Sequence, residues 1–265
     1  MANPLLNDES MRKAAASGWA APDPSTRATP IDDGPISPWR PGVMTVQGTA
    51  TATGVLMVLL LASATVGWMS VDTATSGFPA LALLGIVVGF ACVLALMFRP
   101  MWARILAPIY ALAEGFAIGV ISKFYESTQD GIVLQAVGAT LATVLVMLVL
   151  YRTQIIKVTD RFRRIVIGAT AGVMLLYLVS LVVRLFAGPG SISFLSSPSL
   201  LGIGFSVFVC VLAAMNLALD FDFIERGSAS RLPKGMEWYA AFGLLVTIVW
   251  LYLEILRLLS KLNRR

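Results

Sequence analysis

The sequence predicts an all-α membrane protein with seven transmembrane helices and a disordered amino-terminal tail. Three observations predict it. Hydrophobic residues make up 57% of the chain and charged residues only 13%, about half the charged fraction of a soluble domain. Seven apolar runs approach the ~20 residues that a helix needs to cross a bilayer. The first 49 residues carry Pro4, Pro22, Pro24, Pro30, Pro35, Pro38 and Pro41, a density at which no helical period survives.

The tail, residues 1–49, is read as flexible, with a membrane-protein partner as its alternative use. It is not a signal peptide, because the first apolar run begins too late. The spans follow at about 50–71, 78–98, 105–124, 131–151, 165–186, 200–224 and 238–262. Asp72 bounds the first, Arg99 and Pro100 stop the second, and the fourth lies between Asp130 and Arg152. Gly188-Pro189-Gly190 and the Ser-Ser-Pro-Ser run divide an uncharged stretch too long for one span. Pro108 marks the first turn of span three or a kink near it. Gly85 and Gly89, Gly115 and Gly119, and Gly168 and Gly172 are small-residue pairs one turn apart. They are expected to bring helix backbones of one chain together.

Charge sets the orientation. Arg12, Lys13, Arg27 and Arg40 lie in the tail. Arg99 and Arg104 follow span two, Arg152, Lys157, Arg161, Arg163 and Arg164 follow span four, and Arg226, Arg231 and Lys234 follow span six. The alternate connections hold only Lys123 and Arg184. The amino terminus is therefore expected in the cytoplasm, with the protein in the cell (inner) membrane. Lys261, Arg264 and Arg265 disagree, because seven full spans put them outside. Either the other loops outvote them or the last segment crosses incompletely.

Function classes narrow by absence. The chain has no histidine, which removes HExxH proteases, His-ligated metals and a histidine pH switch. Cys92 and Cys210 lie in apolar runs without CxxC spacing and read as small core residues. There is no GxSxG. No enzyme activity, cofactor or nucleic-acid partner is expected. Proton sensing falls to carboxylates, and acids in spanning helices are functional candidates by default. Those acids are Glu114 in span three, Asp220, Asp222 and Glu225 in LALDFDFIERG at the end of span six, and Glu254 in span seven. Trp238, Trp250 and Tyr252 read as interface anchors or packing.

The segment Glu114-Gly115-Phe116-Ala117-Ile118-Gly119, the LALDFDFIE of span six and the LYLEILRLL of span seven occur in this order on seven spans. In this the chain, from about Ala50 onward, resembles the bacterial branch of the Bax inhibitor-1 family. The resemblance implies six helices wrapped around a central seventh, and a pH-sensitive calcium leak channel. It also implies a gate in which an acid on helix six and an acid on helix seven share a proton. The helix-six acid falls on Asp220. The helix-seven acid falls on Glu254 if LYLE is the anchor, and on Thr247 if LRLL is. Glu114 is the competing partner. Arg99 is the nearest match to the family's basic residue at the end of helix two.

Two carboxylates in a low-dielectric site cannot both ionise cheaply. Protonation permits close packing; ionisation separates the pair or attracts a cation. Asp220 and Glu254 would then offer calcium a weak transit site, since calcium prefers several oxygens. Asp222 and Glu225 are expected to be solvated near Arg226. Glu254 has a second candidate role, an ion pair with Arg257 one turn on. Two functions stay open: a proton-gated calcium leak channel in the bilayer, or a non-conducting regulator that binds a protease or stress factor through the tail.

Overall fold

The computed structural model describes residues 42–71, 80–187 and 197–264. The expected tail, apart from its last residues, and the Gly-Pro-Gly break lie outside the described residues. Seven helices follow one another: α1 (Val46–Met69), α2 (Ala80–Phe98), α3 (Ala103–Thr128), α4 (Ile132–Arg152), α5 (Asp160–Ala187), α6 (Leu200–Ala229) and α7 (Met236–Asn263). All seven are long and apolar enough to cross a membrane.

Local chemistry starts several of the helices. Thr45 caps α1, its hydroxyl accepting from the Gly48 N–H at 2.9 Å, and Ser199 does the same for α6 through Gly202 at 3.2 Å. A 3-10 turn, Pro100–Trp102, leads into α3. Pro108 lies inside α3, beyond its first turn. Between α3 and α4 the chain turns on Gly131 at φ 77°, a left-handed conformation that glycine adopts without steric cost. The Glu126 carboxylate accepts from the N–H groups of Gly131 (2.7 Å) and Val133 (3.1 Å), satisfying donors that the α4 start would otherwise leave open.

Helix α7 is the centre. It packs against α1, α3, α4 and α6, and Tyr177 of α5 is hydrogen-bonded to its Glu254. Half of its most apolar window is buried, against 17% for α5. Helix α2 packs on α3, at the outside of the bundle. The α1–α3 crossing brings backbones into contact: a Cβ at Gly115 or Gly119 would overlap the carbonyl oxygens of Leu60 and Ala64. Gly85 faces the Ala113 carbonyl of α3 in the same way. Gly168 and Gly172 differ from expectation, since a Cβ at either would meet open space and, among the described residues, no other helix.

The bundle begins earlier than the composition shift suggested. Gly42–Thr45 is laced to the α6–α7 connection through Met44 N–H to the Leu232 carbonyl (2.7 Å) and Lys234 N–H to the Gly42 carbonyl (2.9 Å). Met44 is 1% exposed, with its sulfur against Gly227. Residues 42–49 therefore belong to the bundle.

Candidate functional site

The acids near the end of α6 fall at 220, 222 and 225, so helical geometry sends them to different neighbours. Asp220 turns toward α7. It is half-buried, and its Oδ2 is closed off from solvent with no hydrogen-bond partner. Thr247 stands beside the carboxyl, its hydroxyl donating to the Gly243 carbonyl at 3.2 Å. Asp220 lines a cavity of about 600 Å³ with Arg163, Phe223, Arg226, Tyr239 and Gly243.

Asp222 is clamped. The Arg163 guanidinium donates to its Oδ2 at 2.9 Å, and Arg226 pairs with the same oxygen one turn along. At 9% exposure it is a buried ion-pair member and not the solvated acid expected from its place at a helix end. The reason lies in α5, which starts at Asp160 and so carries Arg163 in its first turn alongside α6. Glu225 is exposed, as a helix-end acid should be, yet it accepts from the Tyr151 hydroxyl of α4 at 2.5 Å. Both arginines of the cavity are thus committed to Asp222.

Glu254 lies deeper in the protein, 1% exposed. Its Oε1 accepts from Arg257 Nη1 at 2.8 Å and from the Tyr177 hydroxyl at 2.9 Å. Arg257 also donates to that hydroxyl at 2.8 Å and stacks over the Tyr177 ring. Glu254 Oε2 is buried without a partner. Glu254 is not in contact with Asp220: it lies seven residues beyond Thr247 on α7, about 10 Å along the axis at 1.5 Å per residue. Glu114 is not brought to Asp220 either; its carboxylate lies against Gly89 of α2. Arg99 is exposed at the joint between α2 and α3.

The Bax inhibitor 1 like family model matches residues 3–264. The chain belongs to this family. No curated protein matches it. In this Bax inhibitor 1 like protein the two anchors for the helix-seven position now have different outcomes. Thr247, placed there by LRLL, is the neighbour of Asp220; Glu254, placed there by LYLE, is held by Arg257 and Tyr177. Among the described residues no group of three or more His, Cys, Asp or Glu side chains could hold a metal ion.

Two charged residues have partners inside the bundle that the sequence did not indicate. Glu237, 5% exposed, accepts from both the N–H and the hydroxyl of Thr45 at 3.0 Å, so the first residues of α7 cap the start of α1. Lys261, 3% exposed, donates to the Gly202 carbonyl at 2.9 Å and the Ser206 hydroxyl at 2.8 Å. A charge at a span edge was the only local signal for either. Their partners lie on other helices.

Proposed function

We propose that this protein is a pH-sensitive calcium leak pathway in which Asp220 is the switching acid. The observation that carries the reading is the setting of Asp220. It is a carboxyl with one oxygen sealed and unpartnered, on the wall of a cavity whose two arginines are both engaged by Asp222. A neutral acid suits that packing, since a buried charge without a partner is costly. Ionisation leaves a desolvated carboxylate between α6 and α7, relieved when water or a cation enters and the helices part at Gly243 and Thr247. The closed form is thus favoured at acid pH and the open form as pH rises. Asp220 and the Thr247 hydroxyl offer calcium few oxygens, which suits transit better than retention. Glu254, already bound by Arg257, is not needed for the switch.

The test is calcium entry into liposomes that contain only this protein, followed from mildly acid to mildly alkaline pH. Flux should rise with pH in the wild type and become independent of pH in Asp220→Asn, which keeps shape and hydrogen bonding but cannot ionise. Asp222→Asn should keep the pH dependence. Absence of wild-type flux would favour the second function, a non-conducting regulator acting through a membrane-protein partner. A pH-dependent flux untouched by Asp220→Asn would place the switch elsewhere.

A further inference from the structure

Among the described residues four buried side-chain nitrogen or oxygen atoms have no hydrogen-bond partner: Asp220 Oδ2, Trp250 Nε1, Glu254 Oε2 and Gln129 Oε1. Three of the four lie in the seam between α5, α6 and α7. Buried polar groups are rarely left unsatisfied, and ordered water is the usual partner where the protein supplies none.

The three atoms are stacked. On α7 the residues Thr247, Trp250, Glu254, Arg257 and Lys261 recur at intervals of three and four, so they share one face. They span fourteen residue steps, about 21 Å of axis, most of a hydrocarbon core. The facing helices carry polar groups at matching depths. Asn216 of α6 donates to the Thr170 hydroxyl of α5 at 2.8 Å. Tyr177 of α5 meets Glu254 and Arg257. Cys210 of α6 is within electrostatic reach of Glu254, Arg257 and Lys261. Ser206 and the Gly202 carbonyl of α6 hold Lys261. Trp250 itself packs among Val166, Val173, Val209 and Leu212, so its unpartnered N–H lies in the same seam.

From this stacking we infer that a file of buried water runs along the α5–α6–α7 seam, from the cavity at Asp220 to the Glu254–Arg257–Lys261 cluster, and that it carries protons. Carboxylates, hydroxyls and water can hand protons on, and acids inside spanning helices mark such relays. Metal cations are a different matter. At the far end Arg257 and Lys261 face one carboxylate, Glu254, and the net positive charge opposes a divalent ion about twice as strongly as a proton, which the side chains and water can also pass on by exchange without moving an ion. Asp220 stands where the two routes meet: protons reach it along the seam, and calcium, on the function proposed above, reaches it through the cavity.

The inference does not require calcium passage, and the experiment separates the two. Proton flux into liposomes carrying a pH dye is driven by a potassium diffusion potential, with no calcium present. Wild-type protein should conduct protons, and Glu254→Gln should lower the proton flux tenfold or more while calcium flux persists. Glu254→Asp should recover part of it. No wild-type proton flux, or flux unchanged by Glu254→Gln, overturns the inference and leaves the calcium reading as it was. Should Glu254→Gln fail to fold, a second measurement decides. The Trp250 indole N–H should exchange with deuterium in wild-type protein reconstituted in liposomes, followed by NMR of indole-labelled protein. A fully protected Trp250 N–H would exclude water between Asp220 and Glu254 and sink the proposal.

Discussion

Asp220 and Asp222 stand two residues apart on one helix and live in opposite circumstances. Asp220 has an unpartnered oxygen on a cavity wall; Asp222 is held by Arg163 and Arg226. The sequence showed both acids and the nearby Arg226, but Arg163 is fifty-nine residues away, and only the packing of α5 on α6 brings it in. Glu237 makes the same point across a separation of 192 residues. It accepts two hydrogen bonds from Thr45 at the first turn of α1, where a negative charge also favours the helix dipole. Glu237→Gln keeps the size but weakens both bonds, because charge-assisted acceptors are the stronger ones. A loss of about 1–2 kcal/mol is expected. Thermal unfolding in detergent checks it: Glu237→Gln should melt several degrees below wild type, and an unchanged melting temperature would show that the cap contributes nothing.

At the scale of the helix, glycine spacing proved informative only in context. The pairs Gly115–Gly119 and Gly168–Gly172 look alike in sequence. The first lets α3 lie with its backbone against the α1 carbonyls of Leu60 and Ala64; the second faces open space on α5. Gly119→Leu should therefore prevent α1 and α3 from closing and yield aggregated protein on size exclusion in detergent. Gly168→Leu should elute as wild type. Equal tolerance of both would contradict the close α1–α3 approach. The seven spans themselves were legible because each is a long apolar run, and helices are the open-chain solution for a backbone in lipid. Their ends were less legible. Helix α5 begins five residues before the apolar run at Ile165, α6 continues to Ala229, and α1 begins at Val46. In each case capping or charge-bearing turns extend the helix beyond its apolar part, and hydropathy does not register them. The depth match of Asp220 with Thr247 was open for a related reason. Two anchors on α7 lay within one apolar run, and only the length of the α6–α7 connection decides which level faces Asp220.

For the whole molecule the question is which face looks inward, and the bundle supplies a constraint that the loops alone did not. Gly42–Thr45 is hydrogen-bonded to the α6–α7 connection, so the entry to α1 and that connection share one face. With seven crossings the α2–α3 and α4–α5 connections join them, and this face gathers Arg99, Arg104, Arg152, Lys157, Arg161, Arg163, Arg164, Arg226, Arg231 and Lys234. Of the described residues the opposite face holds Lys123, Lys261 and Arg264. The carboxyl-terminal cations had spoken against this orientation, but Lys261 is bonded to Gly202 and Ser206 inside the bundle and offers little charge to a membrane surface. Lys123 is turned onto the Trp68 ring. We propose that the basic face is the cytoplasmic one. Single cysteines introduced into a variant without Cys92 and Cys210 test this in intact cells with an impermeant thiol reagent. Cysteine at Thr75 or Gly190 should be labelled from outside, and cysteine at Thr159 only after the membrane is opened. The reverse pattern would invert the protein and place the Asp220 cavity outside. The proposed seam would then bring protons to Asp220 from the cytoplasm and not from outside, so the same labelling experiment decides which compartment the proposed switch reads.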